Sequence, residues 1–179
     1  STDDRVARDK ARIDDWIRYA AESGETPAID AATLVALRDS ANGVETLMLR
    51  RNSKIAFGGM WVFPGGRVDD ADRAAAPDAL GAARVAAARE AGEEADLQIE
   101  AGEMVMFAHW IPPPIAPKRF ATWFFAADAG DQDHTIDNGE IVESDWMTPE
   151  ICLARHHEGD IELAPPTWVT LHTMLAQPD

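Results

Sequence analysis

Glu90, Glu93 and Glu94 lie within the run Arg89-Glu90-Ala91-Gly92-Glu93-Glu94. On a helix, residues three and four apart share a face, so the three carboxylates project into one narrow sector. Like charges so placed repel, by roughly 0.2–0.5 kcal/mol per pair on an isolated helix. A hard divalent cation reverses that penalty by taking the oxygens as ligands, keeping several waters and completing its shell with a substrate phosphate. Upstream stands Phe63-Pro64-Gly65-Gly66-Arg67-Val68-Asp69, where proline fixes one dihedral and two glycines permit a turn that brings backbone close to the helix or to a ligand. Taken separately, the glutamates read as a solvated acidic face and the glycines as a tight connection after the short strand Trp61-Val62-Phe63. In this order and together, they point to a magnesium or manganese site.

Other residues have the chemistry to serve the same centre. The chain has only 16 lysines and arginines, and Arg50, Arg51 and Lys54 cluster just before the glycine turn. Arginine grips phosphate oxygens in a bidentate fashion, which makes Arg51 and Arg119 the candidate substrate-binding residues, with surface solubility as the competing explanation. Glu140 and Glu143 flank a predicted strand behind the polar loop Asp137-Asn138-Gly139. Trp110 and Trp123 lie near a proline-rich loop, where a ring can stack on a nucleobase, although tryptophans more often fill a core. His109, His134, His156, His157 and His172 show no zinc spacing with a cysteine and receive no role. The sequence has no nucleophile elbow, P-loop or dinucleotide fingerprint.

These groups need a scaffold, and the apolar spacing predicts one. Residues 3–22 place Val6, Ile13, Trp16, Ile17 and Ala20 at helical spacing, which predicts an N-terminal amphipathic helix docked on its own domain or on a second copy, as in a homodimer. Residues 31–37 and 44–50 predict a hairpin around Asp39-Ser40-Ala41-Asn42-Gly43. Residues 104–110 and 119–127 predict a second strand pair, separated by a stiff loop containing Pro112-Pro113-Pro114 and Pro117. A strand at 141–146 and helices at 149–156 and 166–174 complete the pattern. Strands interleaved with helices predict an α/β protein with a mixed sheet and helices on its faces. Residues 1–30 read as a helical extension and 31–179 as one domain.

Composition narrows the partners. The 179 residues suffice for one domain with a real core. A net charge of -16, from 32 acidic and 16 basic residues, argues against nucleic acid or an anionic membrane surface as the main partner. A small phosphorylated molecule stays compatible, because a bound cation and a few local arginines can hold it. Cys152 is the one cysteine, so no intrachain disulfide forms, and a small core residue in a reducing cytoplasm is the natural reading. No run approaches the roughly 18 apolar residues of a membrane span. The amino end reads as a charged helix rather than a signal peptide, and Gln177-Pro178-Asp179 is no peroxisomal address.

The glycine turn followed by the glutamate helix resembles the Nudix box, the loop-helix-loop of Nudix hydrolases. Gly66 matches its opening glycine, and Arg89, Glu90, Ala91, Glu93, Glu94 and Leu97 match its second half in register. Asp72 stands where the family has glutamate, Asp96 where it has glycine, and sixteen residues instead of seven separate Asp72 from Arg89. Aspartate tolerates the left-handed region better than most residues, so Asp96 can still end the helix. The inserted alanine-rich stretch carries Pro77-Asp78 and predicts a longer helix or an extra turn, with Asp78 as its cap. An insertion at this point is similar to the subgroup of the mammalian peroxisomal coenzyme A diphosphatase. The basic pattern linked to coenzyme A recognition is matched loosely, with Ile55 in place of an arginine beside Lys54.

The resemblance implies an α/β/α sandwich and metal-dependent hydrolysis of a nucleoside diphosphate linked to another moiety. It implies Glu90, Glu94 and the Gly66 carbonyl as ligands of Mg2+ or Mn2+, and Glu93 as a further ligand or the base. Glu140, in preference to Glu143, would complete the metal shell or act as base, and Arg89 would brace the cluster against Asp72 or Asp69. Coenzyme A or acyl-CoA, ADP-ribose, a dinucleotide and an oxidised nucleotide are the candidate substrates. A catalytically inactive ligand-binding module on the same fold is the alternative of another class, since the box is altered at Asp72 and Asp96.

Overall fold

The computed structural model describes residues 2–54 and 58–176, without the side chains of residues 2–6, 8 and 9. Ile55 and the tripeptide Gln177-Pro178-Asp179 lie outside the described residues. The chain runs α1 (Thr2–Ser23), β1 (Ala28–Ser40), β2 (Gly43–Arg51), β3 (Trp61–Val62), β4 (Gly65–Arg67), α2 (Asp70–Ala74), α3 (Ala79–Ala95), β5 (Val105–Trp110), β6 (Arg119–Asp128), β7 (Ile141–Met147), α4 (Pro149–Glu158) and α5 (Pro165–Leu175), with a 3-10 turn at Ala101–Glu103. The predicted hairpin is present, but its strands extend until only Ala41 and Asn42 remain between them, with Ser40 opposite Gly43.

The sheet is mixed. β1 and β6 run parallel at its centre, from Ala28 opposite Arg119 to Leu37 opposite Asp128. The remaining pairings between named strands are antiparallel. Alternate side chains point to opposite faces of a strand, so each central strand feeds two cores. Leu34 and Ala36 of β1, Leu47 and Leu49 of β2 and Phe125 of β6 pack with the alanines of α3. Val35, Met48 and Phe124, from the same strands, pack on the other face with Cys152 of α4 and Leu171 of α5. Helices therefore cover both faces, as the α/β/α expectation requires.

The other edge of β1 has two partners. β2 pairs with its second half, Leu37 to Ser40, while β4 pairs with its first half, with Gly66 opposite Ala32. Between them, Leu34 N–H donates to the Pro64 carbonyl at 2.9 Å. A Cβ on Gly65 would overlap the Ala32 carbonyl oxygen, so the close run of β4 along β1 requires glycine there. This short strand is what sets the glycine turn beside α3.

The insertion resolves into a separate short helix, α2, followed by a fresh start. Asp78 caps α3 by accepting from Gly81 N–H at 2.7 Å, and Asp96 ends the helix in the left-handed region at φ 56°. Ala83, Ala87, Ala91 and Ala95 form its fully buried stripe. Such small side chains let the helix axis lie close to the sheet and carry Glu94 inward with it. The N-terminal helix α1 is also present, but Ile13 and Ile17 of its apolar stripe are 46% and 52% exposed. Its root is held where Thr26 N–H meets the Pro114 carbonyl at 3.4 Å. Among the described residues, no helix is long and apolar enough to cross a membrane.

Candidate active site

α3 brings its glutamates against β4. Glu94 is only 4% exposed, and its Oε2 accepts from Gly65 N–H at 2.9 Å. The Glu90 carboxylate lies so close to Gly66 that a Cβ there would overlap it. Glu93, one turn further on, is largely exposed. The second glycine of the turn thus makes room for a carboxylate, while the backbone before it supplies a hydrogen bond to a second one.

Arg89 ties this arrangement together. Its Nε and Nη2 grip Asp72 in a bidentate fashion, at 3.1 and 2.9 Å. Nη2 also donates to the Arg67 carbonyl at 3.0 Å, and Nη1 reaches Glu90 at 2.9 Å and Glu93 at 3.1 Å. Asp69 stands further off, at 3.7 Å, so the shorter arm of Asp72 suffices to meet the arginine. Asp72 is 2% exposed. Burial opposes its ionisation, but the Arg89 hydrogen bonds and the Asp69 N–H outweigh that cost and hold its carboxyl below the usual range. The same pairing raises the pKa of Arg89.

The other side of the cluster is closed by Arg51 and Glu140. Arg51 lies 3.6 Å from Glu94 Oε1 and 3.2 Å from Glu140 Oε2. A bulge makes this meeting: Arg50 sits opposite Glu143, but Arg51 sits opposite Ile141, skipping a residue of β7. Glu143 is instead paired with Arg50 at 2.9 Å. The Asp137 side chain accepts from Glu140 and Ile141 N–H, each at 2.9 Å, which shapes the loop end that presents Glu140.

Packing these acids together has an electrostatic consequence. Burial, reinforced by the charges of Glu90 and Glu140, pushes Glu94 up to about 8 against the opposing help of Gly65 N–H and Arg51. Glu90 is raised too, first by burial and then by Glu93 and Glu140, with Arg89 working against the shift. Among the described residues, no three His, Cys, Asp or Glu side chains are arranged around one point to hold a metal ion. The donors fit one by chemistry. Glu90 and Glu93 share Arg89, Glu94 and Glu140 share Arg51, and the buried member is costly to ionise alone, so oxygen donors already turned onto cations line this side of α3. Ligation would require those oxygens to exchange arginine for metal.

Two predicted residues lie elsewhere. Arg119 donates from Nε to the Pro112 carbonyl at 3.0 Å and from Nη1 to the Thr26 carbonyl at 2.7 Å, which clamps the proline loop to the root of α1. Trp123 is stacked on His109 at 3.8 Å between ring centroids, so that face of its ring is taken. His134 accepts from Trp146 Nε1 and lies 2.9 Å from Ser144 Oγ, a structural tie away from the glutamates. Cys152 is buried, and burial pushes its thiol up to about 12. Sequence reasoning missed the Gly65 N–H and the Arg67 carbonyl, since backbone groups leave no residue-type signal.

A mixed sheet between helices, with a glutamate-bearing helix laid against a glycine strand, defines an α/β/α protein with an acidic centre beside α3. The NUDIX domain family model matches residues 28–166, and the chain belongs to the Nudix family. It is a Nudix-type diphosphate hydrolase, and Nudix hydrolases generally use divalent metal ions. A Nudix hydrolase from Alicyclobacillus acidocaldarius is similar at 25% identity and a TM-score of 0.73, covering 86% of this chain and 94% of that one. The Nudix domain of Shewanella oneidensis NrtR, solved with ADP ribose, shares the fold at 15% identity and a TM-score of 0.65, covering 89% and 96%. A C. elegans Ap4A hydrolase is similar at 21% identity and a TM-score of 0.50, covering 71% and 85%. No curated protein sequence matches the chain.

Proposed function

We propose that the chain hydrolyses a nucleoside diphosphate linked to another moiety, using Mg2+ or Mn2+ at the α3 cluster. The observation that carries this reading is Glu94: a nearly buried carboxylate, costly to ionise alone, set against Glu90, Arg51 and the glycine strand. Glu90, Glu94 and the Gly66 carbonyl would hold the metal, with Glu93 as a further ligand. When bound, the metal neutralises phosphate oxygens and lowers the pKa of a water. Arg89, fixed by Asp72, holds Glu90 and Glu93 in place. Gly65 N–H fixes Glu94. Glu140, on an exposed loop end beside the cluster, takes the proton from the attacking water. Water oxygen bonds to one phosphorus, the bridging P–O bond breaks, and two phosphate-bearing products leave.

The two substituted positions of the box have physical accommodations. Asp72 still braces Arg89, and Asp96 still ends the helix, which favours an active hydrolase over an inactive binding module. Because one fold relative was solved with ADP ribose and another is an Ap4A hydrolase, ADP-ribose and dinucleotides are tested beside coenzyme A and oxidised nucleotides. Incubation with a mixed diphosphate panel and Mg2+, with products identified by mass spectrometry, tests the reading. Two phosphate-bearing products from at least one panel member are expected. No cleavage of any member, with intact protein, would favour the binding module.

A further inference from the structure

The two arginines at the cluster differ in how fully they are satisfied. Arg89 has Nε, Nη1 and Nη2 all engaged by protein oxygens. Arg51 reaches Glu94 and Glu140 with its terminal nitrogens, but among the described residues its buried Nε has no hydrogen-bond partner. An unmet buried donor is costly, so this seat is not one the side chain fills completely. The Arg51 backbone, by contrast, is pinned: its N–H donates to the Met60 carbonyl at 3.1 Å, and its carbonyl accepts from Gly59 N–H at 2.9 Å. Any movement is therefore confined to the side chain.

The oxygens that Arg51 occupies belong to the cluster that the proposed function assigns to the metal. A guanidinium and a divalent cation cannot share the same carboxylates without mutual repulsion. A diphosphate offers the planar guanidinium a bidentate pair of acceptor oxygens, including one for the orphaned Nε. We propose that Arg51 is an internal cation that competes with the divalent metal for Glu94 and Glu140, and that a substrate phosphate relieves this competition by drawing the guanidinium away. Metal and substrate then bind with positive coupling. Either one raises the affinity of the other by the same factor, about tenfold within the usual range of such couplings. A metal-free, substrate-free protein stays electrostatically closed, and the charged centre assembles when both arrive.

This inference rests on the metal-dependent reading above, and the experiment separates the two. Free Mn2+ is followed by electron paramagnetic resonance during titration of the wild type, Arg51→Gln, Arg51→Met, Arg51→Lys and Glu94→Gln, without nucleotide. Arg51→Gln and Arg51→Met are expected to bind Mn2+ about tenfold more tightly than the wild type, and Arg51→Lys, which keeps the charge, to stay near it. Either neutral variant alone suffices if the other fails to fold. Adding α,β-methylene-ADP, whose P–C–P bridge resists hydrolysis, should tighten Mn2+ binding more in the wild type than in the neutral variants. Neutral variants that bind Mn2+ equally or more weakly than the wild type, while Glu94→Gln binds less, would overturn the competition and leave the metal site standing. Mn2+ binding that Glu94→Gln does not change would overturn both.

Discussion

Arg89 and Arg51 approach the same glutamates from opposite sides, yet they are built into the fold differently. Arg89 arises from the helix that carries the acids, and its partners include a carboxylate that is 2% exposed and a backbone carbonyl. Arg51 arises from a strand end beside a bulge, and its closest carboxylate, Glu140, has a side chain that is 63% exposed. One arginine is a part of the core that happens to face the site. The other meets the acids through side-chain contacts, a hydrogen bond to Glu140 at 3.2 Å and a longer approach to Glu94 at 3.6 Å. Within one cluster, then, one arginine is locked by a buried carboxylate and a backbone carbonyl, while the other bridges a buried carboxylate and an exposed one.

The largest expected effect follows from removing the fixed arginine. Arg89→Ala leaves Asp72 buried without its counter-charge, a change that costs about 3 kcal/mol. At about 2–4 °C per kcal/mol for a chain of this size, thermal unfolding should shift down by about 10 °C. A shift below about 2 °C would mean that the Asp72 pair contributes little.

A smaller effect is expected from pH. Glu94 has an ordinary value of 4.5 and is pushed up to about 8 in the fold. The native state therefore keeps a proton that the unfolded chain gives up, so in the absence of metal this group's contribution to stability falls as pH rises from 4.5 to about 8. Melting curves in a chelator at pH 5 and pH 8 should differ by about 5 °C more in the wild type than in Glu94→Gln. Identical pH dependence in both would show that Glu94 is not the group responsible.

The smallest effect is expected at the other arginine. Arg51→Gln removes a 3.2 Å pair with Glu140, whose side chain is mostly in solvent, and a longer 3.6 Å contact with the buried Glu94, which stays hydrogen-bonded to Gly65 N–H, so the loss should stay at about 1 kcal/mol. Its melting temperature should stay within about 3 °C of the wild type. A drop equal to that of Arg89→Ala would erase the distinction between the two arginines.

Much of this arrangement was legible from residue types. Asp78 and Asp96 bracket α3 because their short polar side chains favour a cap and a left-handed stop, and the three glutamates cluster because helical spacing leaves them no alternative. The parts that were not legible depend on contacts distant in sequence. β4 is three residues long and contains two glycines, so no periodicity marks it; only its partner β1 reveals it. The choice of Glu140 over Glu143 as the neighbour of Arg51 turns on a one-residue bulge, which no pattern in β2 or β7 announces. Arg119 looked suited to phosphate, but two carbonyls, one 93 residues away in the chain, take its donors instead.

The proposed function stands on the buried carboxylate of Glu94 helping to hold the metal on which hydrolysis depends. Its most direct test is the Mg2+ dependence of turnover in Glu94→Gln, measured on whichever panel diphosphate the wild type cleaves, with folding checked by circular dichroism. The neutral amide keeps the shape and can still accept from Gly65 N–H, so a folded variant with turnover reduced by about a hundredfold or more is expected. A folded variant with wild-type turnover and unchanged Mg2+ dependence would contradict the account.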